Sequence, residues 1–123
     1  MAGQLTKTIL EEGSGDSPKA GDTVIMGYTG WLKDTSKPDN KGKKFDASYD
    51  RDEDFRTKIG VGQVIAGWDD GVVNMKLGEK ARLDIPSHLA YGNRSVGNNL
   101  IPANSDLIFD VHLKRIIPKP ITQ

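Results

Sequence analysis

The feature that most constrains this chain is a strict alternation of side chains over residues 107–114. Every second position carries a large apolar side chain: Leu107, Phe109, Val111 and Leu113. Successive side chains point to opposite faces of a β-strand, so a period of two predicts a long strand with one buried face. The chain is therefore expected to build its core on one face of a β-sheet.

Weaker versions of this pattern predict further strands upstream. They are an edge strand over 5–10, a strand that begins after Asp22 and carries Val24, Met26 and Tyr28 on one face, a strand over 55–59, and a strand with Ala81, Leu83 and Ile85 on one face. Pro86 ends the last of these because proline has no N–H to donate to a ladder.

One short helix is predicted near residues 65–75. Val72 and Met75 follow Trp68 at spacings of four and seven, so one narrow face of the helix packs inward. The side chains expected to stay in solvent are Asp69, Asp70 and Asn74.

Two segments are predicted to be loops. Residues 35–44 are rich in Lys, Asp, Asn, Pro and Gly, with no apolar side chain beyond the proline. Residues 89–104 are interrupted by Gly92, Gly97 and Pro102, and a loop of that length is unusual unless it is functional. Together the elements predict an α+β fold with one antiparallel sheet wrapped over one short helix.

Size and composition predict a single globular domain over residues 1–123, with a core at about 5–117 and a short tail at 118–123. The 17 basic and 17 acidic side chains balance, which argues against a nucleic-acid partner. No apolar run approaches the ~18 residues that span a bilayer. The absence of cysteine and of a secretory signal pattern favours a cytoplasmic location, with nuclear entry left open, and a monomer is expected.

Residues for covalent or metal chemistry are scarce. His88 and His112 are interpreted as surface residues, and the acidic stretch 46–54 does not match an EF-hand loop. In the glycine-containing stretch 60–67, Ile65 stands where a dinucleotide fingerprint needs its third glycine. The sequence therefore predicts no metal and no cofactor.

Aromatic side chains are the remaining candidates for a site. They come from separate segments: Tyr28, Phe45, Phe55, Trp68, Tyr91 and Phe109. They could converge on one concave face, or they could form an ordinary core.

In chain order, six segments resemble the FKBP family of peptidyl-prolyl cis/trans isomerases. They are GYTG at 27–30, KFDAS at 44–48, GQVIAGWDDG at 62–71, LGEKA at 77–81, AYG at 90–92 and IPANSDLIFDV at 101–111. The match is unbroken from about residue 5 to residue 116, so it is specific.

This resemblance implies a curled antiparallel sheet of about five strands around one short helix. Between them, a hydrophobic cavity would accept the proline ring of peptides and proteins, or a macrolide such as tacrolimus or rapamycin. Drug complexes would engage calcineurin or the TOR kinase. Rotation about an Xaa-Pro bond makes and breaks no covalent bond, which agrees with the missing acid, base and metal.

The resemblance also implies residue roles. Trp68 would form the cavity floor, and the Ile65 N–H and the Tyr91 hydroxyl would donate to carbonyls. Asp46 would be the polar group of the site, and Arg51 would orient either that carboxylate or Tyr28. The implied catalytic residues are Tyr28, Asp46, Phe55, Trp68, Tyr91 and Phe109. The implied binding residues are these six with Phe45, Arg51, Gln63, Val64, Ile65, Leu100 and Ile101.

Some positions depart from the family pattern. The 35–44 segment is longer than in compact members, Gly27 replaces a frequent His, and Gln63 replaces a frequent Glu. The 91–102 loop also differs, so peptide preference and partner surfaces are the least transferable features. Two alternatives stay open: a binding module that docks proline segments without turnover, and a structural or chaperone-like domain whose aromatics are core.

Overall fold

Six antiparallel strands and one α-helix make up the fold in the computed structural model, which describes residues 4–120. They are β1 (Thr6–Glu11), β2 (Thr23–Lys33), β3 (Lys41–Ala47), β4 (Phe55–Lys58), helix α1 (Ala66–Val72), β5 (Lys80–Ile85) and β6 (Leu107–Ile117). The predicted α+β class, with a curled antiparallel sheet around one helix, is confirmed. The sheet has six strands in this part of the chain instead of about five.

The sheet order is β1-β5-β6-β2-β3, and β4 also pairs with β2. β3 and β4 therefore share one edge of β2, with β3 along residues 29–33 and β4 along residues 23–26. On its other edge β2 pairs with β6 over almost its whole length. Gly27 and Tyr28 thus have a ladder partner in β6 but none in β3 or β4.

The core lies between the sheet and α1. The alternating set of β6 is at most 3% exposed, and Trp68, Val72 and Met75 are buried against it. Gly67 permits the close approach of helix and sheet, because a Cβ at this position would lie 2.5 Å from Cγ2 of Ile85. Trp68 and Val72 thus lie on the predicted inward face of the helix, and Met75 is buried just beyond its end.

Three local predictions were wrong. The predicted loop 35–44 becomes strand from Lys41 onward, because its backbone pairs with β2 although its side chains are mostly exposed. The helix is shorter than 65–75. Asp69 is half-buried instead of solvated, because its carboxylate binds backbone amides.

The core predicted at about 5–117 contains all the strands and the helix described above, while the division of the chain into domains stays a prediction. The predicted tail is described as far as residue 120, and residues 121–123 lie outside the described range. Lys119 N donates to the buried carboxylate of Asp22 at 2.9 Å, which fixes the start of this tail on the turn before β2. Among residues 4–120, no helix combines the length and the apolar character that crossing a bilayer requires.

Candidate functional site

A cavity of about 480 Å³ opens between α1 and the sheet. Most of its lining side chains are apolar or aromatic, and one is a carboxylate. The lining residues are Tyr28, Phe45, Asp46, Phe55, Gly62, Gln63, Val64, Ile65, Trp68, Tyr91 and Phe109. Separate segments of the chain thus supply one apolar site, which is the typical form of a small-molecule or peptide pocket.

Trp68 lies at the centre of the aromatic cluster and is 5% exposed. Its ring centroid is 5.0 Å from those of Tyr28 and Phe109 and 5.5 Å from that of Phe55. All three contacts are edge-to-face, the arrangement that the aromatic quadrupole favours. The cluster is therefore a rigid apolar wall whose rings fix one another.

Gly30 on β2 makes room for two of these rings. A Cβ at this position would lie 2.6 Å from Cε1 of Phe109 and 2.7 Å from Cζ of Phe45. The two phenylalanines pack edge-to-face with centroids 5.6 Å apart. A side chain at position 30 would push this pair out of contact with the strand.

A polar network lies beside the aromatic wall. The Tyr28 hydroxyl donates to Asp46, and the Arg51 guanidinium donates both to Asp46 and, at 2.9 Å, to the Tyr28 hydroxyl. Burial opposes ionisation of Asp46, but these hydrogen bonds outweigh it and hold the pKa of the carboxyl below its ordinary value. Burial, and then the bond to Asp46, raise the pKa of Tyr28. At neutral pH the site therefore holds a carboxylate, a neutral phenol and a guanidinium.

Asp69 shapes the segment that closes one side of the cavity. Its carboxylate accepts from Gly60 N at 2.7 Å and from Gly62 N at 2.8 Å, and both glycines have positive φ. The segment that follows carries Val64 and Ile65 into the lining. No local pattern predicts this role of Asp69. The one signal in the sequence is the pair of glycines, which allows two backbone amides to point at one acceptor.

The long loop contributes one residue to the lining. Tyr91 is 37% exposed, and its pKa is raised by burial and then by the nearby charge of Asp46. Leu100 is 40% exposed and Ile101 is buried in the core, so neither lines the cavity. Their predicted part in binding stays a prediction.

The arrangement favours binding and conformational catalysis over bond-making chemistry. His88 is exposed, and His112 lies on the opposite face of β6 from Phe109. Burial, and then the charges of nearby lysines, lower the pKa of His112. In the part of the chain that the structure describes, no group of three His, Asp or Glu side chains is arranged to hold a metal ion.

Comparisons with known proteins agree with this geometry. The family described as FKBP-type peptidyl-prolyl cis-trans isomerase matches residues 15–114. FK506-binding protein 1B of Neurospora crassa is 57% identical over 102 residues, which are 83% of this chain and 88% of that protein. A Schizosaccharomyces pombe protein named peptidyl-prolyl cis-trans isomerase is 49% identical over 116 residues, covering 94% of this chain and 96% of that protein.

Solved structures show the same likeness. The structure of AtFKBP13 matches with a TM-score of 0.79 at 36% identity and covers 89% of this chain and 90% of its own. The structure of FkpA from Escherichia coli matches with a TM-score of 0.80 at 42% identity and covers 94% of this chain. This chain spans only about half of FkpA, 49% of its length.

Proposed function

Since this chain belongs to the FKBP-type peptidyl-prolyl cis-trans isomerase family and is an enzyme of that kind, we propose that the cavity above Trp68 is where an Xaa-Pro bond rotates. One observation carries this proposal: aromatic rings and a single ionised carboxylate converge on one 480 Å³ cavity. A proline ring is apolar and compact, and such a cavity can bury it.

The cavity can lower the rotation barrier without a nucleophile or a base. Amide resonance, which causes the barrier of ~18–20 kcal/mol, places negative charge on the carbonyl oxygen of the planar bond. An apolar cavity disfavours this charge separation relative to the twisted amide, in which resonance is lost. The Asp46 carboxylate adds to the effect if it faces the carbonyl oxygen, because like charges repel. Each ~1.4 kcal/mol of such preference gives a tenfold rate increase.

Donors at the rim would fix the substrate during rotation. Ile65 and Tyr91 both line the cavity, and the candidate donors are the Ile65 N–H and the Tyr91 hydroxyl. In this proposal they donate to the carbonyls that flank the proline, while Phe109 and Trp68 contact the ring. Arg51 does not line the cavity, and in this proposal it acts through Asp46 and Tyr28, to which it donates. Its predicted direct part in binding stays a prediction.

The same cavity is proposed to bind tacrolimus or rapamycin. Support comes from the relatives that are named FK506-binding proteins. Calcineurin or the TOR kinase as drug-dependent partners, a monomeric state and a cytoplasmic location with nuclear entry left open belong to the same proposal by family analogy.

Cis/trans exchange of a short Leu-Pro peptide, followed by NMR with and without tacrolimus, tests the proposal. Phe109→Leu keeps the core apolar but removes the ring, and Arg115→Ala changes an exposed residue of the same strand as a control. We expect drug-blocked acceleration that Phe109→Leu lowers about tenfold and Arg115→Ala leaves unchanged. Acceleration that survives in Phe109→Leu and resists the drug would place the reaction elsewhere, and drug binding without acceleration would indicate a binding module.

A further inference from the structure

The edge of β2 has a gap at Gly27 and Tyr28. β3 pairs with residues 29–33 and β4 with residues 23–26, so neither supplies ladder bonds at the two positions between them. The connection from β3 to β4 begins with the one-turn 3-10 helix Ser48–Arg51, which lies against this gap. Side chains of this turn therefore take the place of a neighbouring strand.

Ser48 supplies the missing polar contacts. Its Oγ accepts from Tyr28 N at 2.9 Å and donates to Tyr28 O at 3.5 Å, and the residue is 1% exposed. One hydroxyl thus satisfies both backbone groups that an edge position leaves open. The contact attaches the turn to the residue whose phenol enters the cavity.

Tyr49 supplies a packing contact. A Cβ on Gly27 would lie 2.4 Å from the Tyr49 hydroxyl oxygen and 2.7 Å from its Cζ, and the three nearest atoms all belong to Tyr49. Gly27 does not have a positive φ, so its missing side chain matters for this contact and not for backbone conformation. On the ring, Lys114 Nζ lies 5.5 Å from the centroid while pairing with Asp54 at 2.7 Å.

Arg51 follows Tyr49 by two residues in the same turn. Its guanidinium orients the Tyr28 hydroxyl and Asp46, yet its side chain is 45% exposed, so core packing does not fix it. The turn closes through Asp52, whose N–H donates to Tyr49 O at 3.2 Å and whose φ is 55°. The position of Arg51 therefore depends on how firmly the turn is held.

We propose that Tyr49 is a positioning residue for the isomerase: by packing on Gly27 it holds the turn that places Arg51 against Tyr28 and Asp46. This inference rests on the proposed cavity site. It assigns an effect on catalysis to an exposed side chain that does not line the cavity.

A double-mutant cycle tests the assignment. Tyr49→Ala should lower kcat/KM for a Leu-Pro peptide about three- to tenfold, which corresponds to the net contribution of about one ordinary hydrogen bond. Arg51→Ala should lower it by at least as much, and the double variant should be no slower than Arg51→Ala alone. Tyr49→Phe keeps the ring and should retain the rate. Asp50→Ala changes the neighbouring residue, whose pair with Lys44 is exposed, and should also retain it.

Gly27→Ala approaches the same contact from the other side. Its methyl group should displace the ring and lower kcat/KM in the same direction, but have no further effect in Tyr49→Ala, where the opposing side chain is gone. NMR signals of the Arg51 guanidinium and of Tyr28 Cζ should shift in Tyr49→Ala and Gly27→Ala and stay unchanged in Asp50→Ala. A role in stability alone would lower the melting temperature without moving these signals or kcat/KM.

The outcomes separate this inference from the function on which it rests. If Arg51→Ala slows isomerisation while Tyr49→Ala does not, or if the two effects multiply in the double variant, Tyr49 does not act through Arg51 and the inference is overturned alone. If Arg51→Ala has no effect, the inference is overturned together with the role of the polar network. The aromatic cavity is then still tested independently by Phe109→Leu.

Discussion

Two carboxylates on opposite faces of the sheet, Asp110 on the outer face and Asp46 on the cavity face, have different surroundings. On the outer face, Asp110 accepts from the Arg82 guanidinium at 2.8 and 3.1 Å and from Lys41 Nζ at 2.9 Å. On the cavity face, Asp46 contacts one cation and one phenol, and its side chain is 39% exposed against 25% for Asp110. Asp110, in the outer network, is surrounded by protein cations, whereas Asp46, in the inner network, lines the cavity.

Asp46 and Asp110 are both ionised, but the two charges have different roles. In both networks burial opposes ionisation and hydrogen bonds outweigh it, so the pKa of each carboxyl is lowered. The outer network joins side chains of β3, β5 and β6 and so connects strands. The inner one orients a phenol beside the proposed substrate position. Substitution of Asp110 should therefore lower stability, and substitution of Asp46 should lower the rate of catalysis.

The largest expected effect is on the cavity face. Phe109→Ala removes a ring that is 3% exposed and contacts three other aromatic rings, and such truncations cost about 3–5 kcal/mol. The free energy of unfolding, measured in urea, should fall by this amount, and peptide exchange in the folded fraction should slow. An unchanged exchange rate would contradict the assignment of Phe109 to the site.

The next effect is expected on the outer face, one residue further along the same strand. Asp110→Ala leaves Arg82 and Lys41 without their shared partner, which should cost about 1–2 kcal/mol at this partly exposed position. Urea unfolding measures the loss. Peptide exchange should match that of the unaltered protein, and a slower rate would show that the two faces are not independent.

Asp46→Asn should have the opposite effects from Asp110→Ala, namely slower catalysis with little loss of stability. The amide keeps the shape of the side chain but loses the charge that pairs with Arg51, so kcat/KM should fall about three- to tenfold. Because this pair is more than a third exposed, stability should change by less than about 1 kcal/mol. Steady-state kinetics and urea unfolding on one preparation measure the two effects. A large loss of stability with unchanged kinetics would show that Asp46 serves stability and not catalysis.

Acid should weaken the outer network in a definite pH range. A lowered folded pKa means that the stabilisation from Asp110 is complete above its ordinary value, near 3.9, and is lost as the pH falls through the lower folded value. Unfolding free energies of the unaltered protein and Asp110→Asn should thus converge below about pH 4. A difference that stayed constant down to pH 2 would mean that ionisation of Asp110 contributes nothing.

The smallest expected effect is that of pH on catalysis. The pKa values of Tyr28 and Tyr91 are raised and that of Asp46 is lowered, so these cavity groups keep their charges near neutrality. Between about pH 5 and 9, kcat/KM should therefore vary by less than about twofold. A bell-shaped profile in exchange measurements would indicate a titrating group that this site does not contain.

The sequence predicted best the strands that have one buried face and one face towards solvent. In β2, β5 and β6 one face is buried and the other is wetter, and this contrast produces a visible period of two. The sequence analysis predicted no strand at β3, because Lys41 and Lys44 lie on a strand at the end of the sheet order that is held by backbone pairing and ion pairs. Lys41 also lies 4.1 Å from the Trp31 ring centroid, a contact that no local pattern indicates.

The residues that line the site were predictable from the sequence, but the residues that hold them in position were not. The resemblance named ten of the eleven residues that line the cavity and omitted Gly62. Asp69 and Ser48 escaped because their partners are backbone groups of distant residues, which only the folded chain brings close. Leu100 and Ile101 do not line the cavity, since Leu100 is 40% exposed and Ile101 is buried in the core, and their part in binding stays a prediction.

The sheet order has a consequence for how the molecule acquires its structure. β6 follows every other described strand in the chain, yet it lies between β5 and β2. During synthesis, β2 and β5 emerge before β6, so they cannot be joined into one sheet until β6 has been made. Because the joining contacts span long stretches of sequence, this topology favours slow, late and cooperative folding. A nascent chain that stops before Leu107 leaves both neighbouring edges open to other chains.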